Sequence, residues 1–318
     1  MTLRVGVAAA LLLYLAGPAL AVDIVTVPVG DPGNADDTEG DGYGGVDQVY
    51  WIGMYEVTNE QYCAFLTAVA SAEDTYGLYN ELMTSDPFDD EGGISRTGTP
   101  GHYSYSPKAG RANNAVNYVS WYDALRFCNW LHNGQPEGLQ DSTTTEDGAY
   151  TFSGATSVGP RNLDALSFLP TEDEWYKAAY YKGGTEGGYW DYATQSDIIP
   201  VAEPPPGGSN SANYDEVVGG HHVTDVGAYS LSISAYGTFD QTGNMWEWTE
   251  TADGGDRVLR GGSWHSVPSY ISASYRGNRP PPTMEQYHIG FRVATIPEPG
   301  TLFILAIGGL GLLRRRRG

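Results

Sequence analysis

The chain has 318 residues, 39 acidic against 17 basic, and a formal charge of −22 at neutral pH. So acidic a balance argues against nucleic acid or an anionic membrane surface as a partner. With 42 glycines, 23 tyrosines and no internal repeat, the sequence reads as a loop-rich fold and not as a propeller or solenoid.

Residues 1–21 read as a signal peptide. Arg4 is the early charge, Val5 to Leu15 is apolar, and Ala19 and Ala21 fit the A-x-A cleavage rule. Cleavage there makes Val22 the first residue of an exported chain. The two ends hold five basic residues (Arg4, Arg314 to Arg317) and one acidic residue (Glu298). Residues 22–296 therefore carry 12 basic and 38 acidic residues, a net charge of −26. This stretch is long enough for one large domain with its own core.

Residues 22–46 form an acidic segment in which Asp31 to Gly45, Gly-rich with Pro32, is a surface loop. The folded domain spans 47–295. Tyr50 to Tyr55 reads as a strand. Thr58 then caps a helix, with Gln61 completing a capping box and Tyr62, Phe65, Leu66 and Val69 on one buried face. Thr84 to Asn117 reads as a long loop. Ser120 opens a second helix with Asp123 in its first turn and Leu125, Cys128 and Leu131 toward the core. Thr171 opens a third, with Glu174 at the capping-box position and Trp175, Ala178 and Ala179 on one side. Gly183 to Gly220 is a second long loop. Loops of this length point to functional or metal-pinned segments. Strands are expected from Arg257 to Trp264 and from Ile289 to Ala294.

Cys63 and Cys128 fall on the first and second helices. In an oxidising compartment a disulfide joining them is expected; two buried thiols acting as small apolar groups are the alternative.

Residues 296–318 close the chain with Pro297-Glu298-Pro299, an apolar run from Leu302 to Leu313, and Arg314 to Arg317. The prolines break any entering helix, the run is barely long enough to span a bilayer, and the arginines favour the cytoplasmic side. The arrangement resembles the PEP-CTERM sorting signal of Gram-negative bacteria. That resemblance implies a transient inner-membrane anchor cut by an exosortase, and then a place at the cell surface or in the extracellular matrix. A permanent anchor is the plainer alternative.

Six segments stand in one order along the domain: Tyr55-Glu56-Val57-Thr58-Asn59, Val116-Asn117-Tyr118-Val119-Ser120-Trp121, Leu169-Pro170-Thr171-Glu172-Asp173-Glu174-Trp175, Gly243-Asn244-Met245-Trp246-Glu247-Trp248-Thr249, Arg260-Gly261-Gly262-Ser263-Trp264 and Gly290-Phe291-Arg292-Val293. Together they resemble the formylglycine-generating-enzyme (sulfatase-modifying factor) domain family. The implied fold is α+β, C-type-lectin-like, with little regular secondary structure.

In that family two cysteines after the Gly-Gly-Ser turn hold copper and activate oxygen. Ser266 and Ile271 stand at the matching positions, and neither is a soft thiolate ligand for copper. The resemblance thus implies no formylglycine-generating activity and makes copper an unlikely cofactor. It also implies calcium. Asp240, Gly243, Met245 and Glu247 match one family site through two side chains and two backbone carbonyls, and Asn213 with Tyr214 matches half of a second. Trp264, His265, Ser266, Tyr270, Arg276 and Arg279 are candidates for a ligand groove, while Trp246 reads as core and Arg292 as structural. His221-His222, His265 and His288 lack the spacing of a metal site, and Gly262-Ser263 lacks that of a hydrolase elbow.

The leading expectation is an exported ligand-binding module that takes a glycan or peptide. The alternatives are a metal-dependent oxidative enzyme of the same fold and a sulfatase-maturation factor.

Overall fold

A computed structural model describes residues 21–38, 42–85, 91–184 and 187–296. The leader up to residue 20 and the tail from Pro297 onward lie outside them. No described helix is long and apolar enough to cross a membrane.

In chain order the elements are β1 (Thr26–Val29), β2 (Tyr50–Gly53), α1 (Asn59–Val69), β3 (Ile94–Thr99), β4 (His102–Pro107), α2 (Trp121–His132), β5 (Phe152–Gly154), β6 (Ser157–Val158), β7 (Ser167–Phe168) and α3 (Glu172–Tyr180). They continue with β8 (Val201–Ala202), β9 (Ser211–Ala212), β10 (Trp246–Asp253), β11 (Asp256–Arg260), β12 (Ile289–Gly290) and β13 (Ala294–Thr295). β1, β2, β13 and β7 make an antiparallel four-stranded sheet in that order. β10 lies between β11, antiparallel, and β12, parallel. Short helices, small sheets and long connections make the loop-rich α+β fold that the motifs imply.

Each helix begins at the capping box expected of it. The Gln61 amide N–H donates to Thr58 Oγ1 at 3.3 Å, and the Thr58 N–H donates to Gln61 Oε1 at 2.9 Å. Ser120 with Asp123 and Thr171 with Glu174 repeat the exchange. Each box satisfies two N–H groups that a helix start otherwise leaves bare.

The buried face of α1 meets α2 through rings. Phe65 lies 5.3 Å from both Phe127 and Trp130, and Phe127 lies 5.4 Å from Phe291, which ties the Gly-Phe-Arg segment into the same core. This aromatic layer joins the helices where a disulfide was expected. Cys63 and Cys128 are free, buried thiols. Burial pushes Cys63 up to about 12 and Cys128 well above the usual thiol range, so both act as small apolar side chains.

Several stretches differ from the sequence expectation; the acidic segment 22–46 contains β1, and the 183–220 connection contains β8 and β9. Thr84 to Asn117 contains the β3–β4 hairpin, with Ile94 opposite Pro107 and Thr99 opposite His102. Only Ile94 and Tyr105 of the two strands are buried, so no alternating apolar pattern marks them. The segment Ile289 to Ala294 is two short strands that join different sheets, β12 beside β10 and β13 between β2 and β7. β10 itself was not legible as a strand. Trp246 to Thr249 are buried in succession, since both faces of this central strand are covered.

Candidate functional site

The site begins at the turn after β11. Gly261 and Gly262 have φ of 96° and 77°. At Gly262 a Cβ would lie 2.6 Å from Ile271 Cγ2, so only glycine lets the chain fold back this closely. The turn that follows is locked twice. The Ser263 N–H donates to Ser266 Oγ and the Ser266 N–H donates to Ser263 O, each at 2.9 Å. A single turn of 3₁₀ helix at Pro268–Tyr270 comes next. From the other side, the Trp246 N–H donates to His288 O at 3.0 Å and brings the approach to β12 alongside.

Between these segments lies a cavity of about 250 Å³. Trp246, Tyr270 and Tyr275 supply aromatic walls, with the Tyr270 and Tyr275 rings 4.5 Å apart. Ser263, Ser266, Asn278 and His288 supply polar ones, joined by His265. Burial, and then proximity to His265, pushes His288 down to about 4, so its ring is neutral at neutral pH. His288 Nδ1 is buried with no hydrogen-bond partner. His265 Nδ1 lies 2.6 Å from Glu216 Oε1 at an exposed pair.

Of the groove candidates, His265, Ser266 and Tyr270 line this cavity; Trp264, Arg276 and Arg279 do not. Trp264 is 2% exposed, packed with Ala115, Val223 and Met245 and stacked on His222 at 4.3 Å, so it is core. Arg276 is held by Glu172 and Asp253, and Arg279 by Asp253. Trp246, Ser263, Tyr275, Asn278 and His288 also line the cavity and were not among the candidates; Trp246 was read as core, and Asn278 sits in a Gly-Asn-Arg-Pro stretch that offers no pattern to read. Of the two positions where the resemblance puts cysteines, Ser266 reaches the cavity. Ile271 is fully buried, packed with Tyr192, Ala212 and Tyr214.

His221 and His222 part company. His222 Nδ1 pairs with Glu91 Oε1 at 2.7 Å, while His221 meets Arg111 at 2.6 Å. Among the described residues, no three His, Cys, Asp or Glu side chains converge as a metal site.

The residues that the resemblance gives to calcium lie deeper. Glu247 is wholly buried, and its carboxylate faces a cation already. Arg292 Nε donates to Oε2 at 2.6 Å, Arg292 Nη2 to Oε1 at 2.7 Å, and Trp175 Nε1 to Oε2 at 2.9 Å. Arg292 also donates to Gly53 O and Phe239 O, which makes it structural as expected. Asp240 Oδ2 accepts from the Gly227 N–H at 2.6 Å, and burial pushes its carboxyl up to about 6. With its carboxylate committed, Glu247 is a poor fit for calcium. Asn213 fits better. Its Nδ2 donates to His222 O and Asn244 Oδ1, but its Oδ1 is buried with no partner, a hard oxygen of the kind calcium takes. Gly243 packs directly on it: a Cβ there would lie 2.3 Å from Asn213 O.

Comparison with known proteins gives the family. Residues 23–296 match the sulfatase-modifying factor enzyme 1-like domain, and residues 295–317 match the PEP-CTERM protein-sorting motif. The chain belongs to the sulfatase-modifying factor family and carries a PEP-CTERM signal, which implies processing by an exosortase. It is 34% identical over 194 residues to the inactive C-alpha-formylglycine-generating enzyme 2 of Bos taurus, covering 57% of this chain and 50% of that one. It is 26% identical over 293 residues to the formylglycine-generating enzyme of Mycobacterium tuberculosis, covering 80% and 89%. A serine/threonine-protein kinase Pkn1 of Chlamydia trachomatis matches at 26% over 265 residues, 77% of this chain and 33% of the kinase. The chain thus spans half or less of the bovine and chlamydial relatives. Among solved structures, CarF aligns with a TM-score of 0.53 at 23% identity, covering 87% of this chain and 99% of that one. Treponema denticola variable protein 1 aligns at 0.52 and 22%, covering 86% and 95%. At these identities the likeness shows the fold alone.

Proposed function

We propose that this protein is an exported ligand-binding module of the sulfatase-modifying factor family that does not generate formylglycine, and that it works at the cell surface or in the extracellular matrix. One observation carries the reading. Where the resemblance requires two thiols that meet at copper, Ser266 offers a hydroxyl already accepting from the Ser263 N–H, and Ile271 is buried among apolar groups. Neither position supplies the soft, ionisable sulfur that copper(I) and oxygen activation need. What remains is a small aromatic-walled cavity. The likeness to an inactive bovine relative supports the same reading. The test is incubation of the exported protein with a sulfatase-type cysteine peptide, with and without copper, followed by mass spectrometry. Unchanged peptide is expected; conversion to formylglycine overturns the proposal.

Calcium belongs to this reading as a structural ion held through Asn213 and the Tyr214 carbonyl. Its chemistry would be to pin the long 183–220 connection onto the core. A chelator should lower the melting temperature of the wild-type protein, and an Asn213→Ala variant should melt at a temperature insensitive to chelator. A wild-type melting temperature that no chelator moves removes calcium from the account.

A further inference from the structure

The cavity beside the Gly-Gly-Ser turn also indicates what it takes. We infer that it binds a single neutral sugar residue, stacked on Tyr270 and hydrogen-bonded by the hydroxyl, amide and imidazole groups around it. The inference rests on the binding-module reading above and goes further by naming the ligand class.

Three observations converge. The first is charge. In a chain with 39 acidic residues, the cavity is lined by no Asp, Glu, Lys or Arg. The charged groups nearby are already paired: Arg276 with Glu172 and Asp253, Arg279 with Asp253, and Glu216 with His265, which itself lines the cavity. Nothing in the lining would balance a phosphate, a carboxylate or an ammonium group, and an unbalanced charge in a partly buried cavity is costly.

The second is the kind of polar group. Ser263, Ser266, Tyr270 and Tyr275 carry hydroxyls, Asn278 an amide and His288 a neutral imidazole. Every one of them both donates and accepts. A sugar hydroxyl does the same; Ser266 Oγ, which already accepts from the Ser263 N–H, keeps its O–H to donate. A peptide backbone presents its N–H and C=O at fixed spacing and is best met by a strand edge or a fixed amide row, and neither a strand edge nor such a row lines this cavity.

The third is shape. Tyr270 is 42% exposed and lies against Tyr275, which leaves an aromatic surface beside the polar groups. Flat aromatic faces beside hydrogen-bonding groups suit the apolar C–H face and hydroxyl edge of a pyranose. About 250 Å³ is room for one ring inside the cavity.

The experiment is ligand-observed NMR of the full chain with three sets of probes. These are methyl glycosides of glucose, galactose, mannose and N-acetylglucosamine, an acetylated and amidated triglycine, and inorganic phosphate. Binding of at least one glycoside is expected. Tyr270→Ala should weaken it about tenfold, the worth of a lost stacking contact. Asn278→Leu should weaken it too, whereas Leu231→Ser, an exposed change outside the cavity, should not. Melting temperatures of all three variants close to wild type show that they fold. If only the peptide or phosphate binds, and Tyr270→Ala weakens it, the cavity is a binding site but the sugar class is wrong. If no probe binds, or binding ignores Tyr270 and Asn278, both the sugar and the binding-module reading fall.

Discussion

The buried charges of this protein are arranged around arginines. Arg292 is fully enclosed, forks onto Glu247, and lies 3.9 Å from Glu56 Oε2. Glu56 in turn accepts from Asn244 Nδ2 at 2.8 Å. Burial, and then the nearby Asp240, pushes the Glu56 carboxyl well above its ordinary range, so one guanidinium does not hold every acid around it ionised. A second enclosed acid gives a cleaner experiment. Asp123 closes the capping box of α2, accepting from the Ser120 N–H at 2.8 Å. Burial, and secondarily Glu285, pushes its carboxyl from 3.8 up to about 7, against the lowering effect of Ser120 and Arg126. The folded state therefore holds this proton more tightly than the unfolded chain. The stabilisation is complete below about pH 3.8 and is lost as pH rises through about 7. Asp123→Asn keeps an acceptor for Ser120 and cannot ionise. It should melt close to wild type at pH 4 and above it at pH 8, by up to about 4 kcal/mol in stability. A difference independent of pH would show that Asp123 titrates normally.

At the level of elements, the legible features were those with a local cause. Thr58, Ser120 and Thr171 each carry a partner three residues on, and each starts a helix where expected. The motif segments were legible as a set and located the fold. The β3–β4 hairpin was not, since its strands are held by backbone pairing and by packing on α1, as where Tyr105 Oη donates to Ala70 O at 3.1 Å, with little apolar alternation of their own. Three of the eight residues that line the cavity, His265, Ser266 and Tyr270, were legible as groove candidates. Trp264 was misplaced because sequence does not say which of several tryptophans turns inward. The cysteines follow the second of the two readings, buried free thiols: sequence puts each on a helix but says nothing of whether the sulfurs meet. With both thiols buried and unbonded, thiol titration of the native protein should find no fast-reacting group, and titration in denaturant without reductant should find two per chain. Zero in denaturant would mean that the exported protein carries the bridge after all.

For the whole molecule, the two matched segments set different fates. The domain at 23–296 encloses charged networks such as Arg292 with Glu247, whereas the motif at 295–317 couples Pro297-Glu298-Pro299 to an apolar stretch and four arginines. At 1.5 Å per residue if helical, the 12 residues from Leu302 to Leu313 would reach only about 18 Å, short of a hydrocarbon core of about 30 Å. So marginal a span suits an anchor that is held briefly by Arg314 to Arg317 and then cut. Replacing Pro297, Glu298 and Pro299 together with alanine should leave a longer, membrane-held form in fractionated cells. The wild-type protein recovered from its destination should have an intact mass that lacks Arg314 to Arg317. A wild-type C-terminus that still carries them would make the anchor permanent and place the sugar-binding cavity at the membrane surface rather than in the matrix.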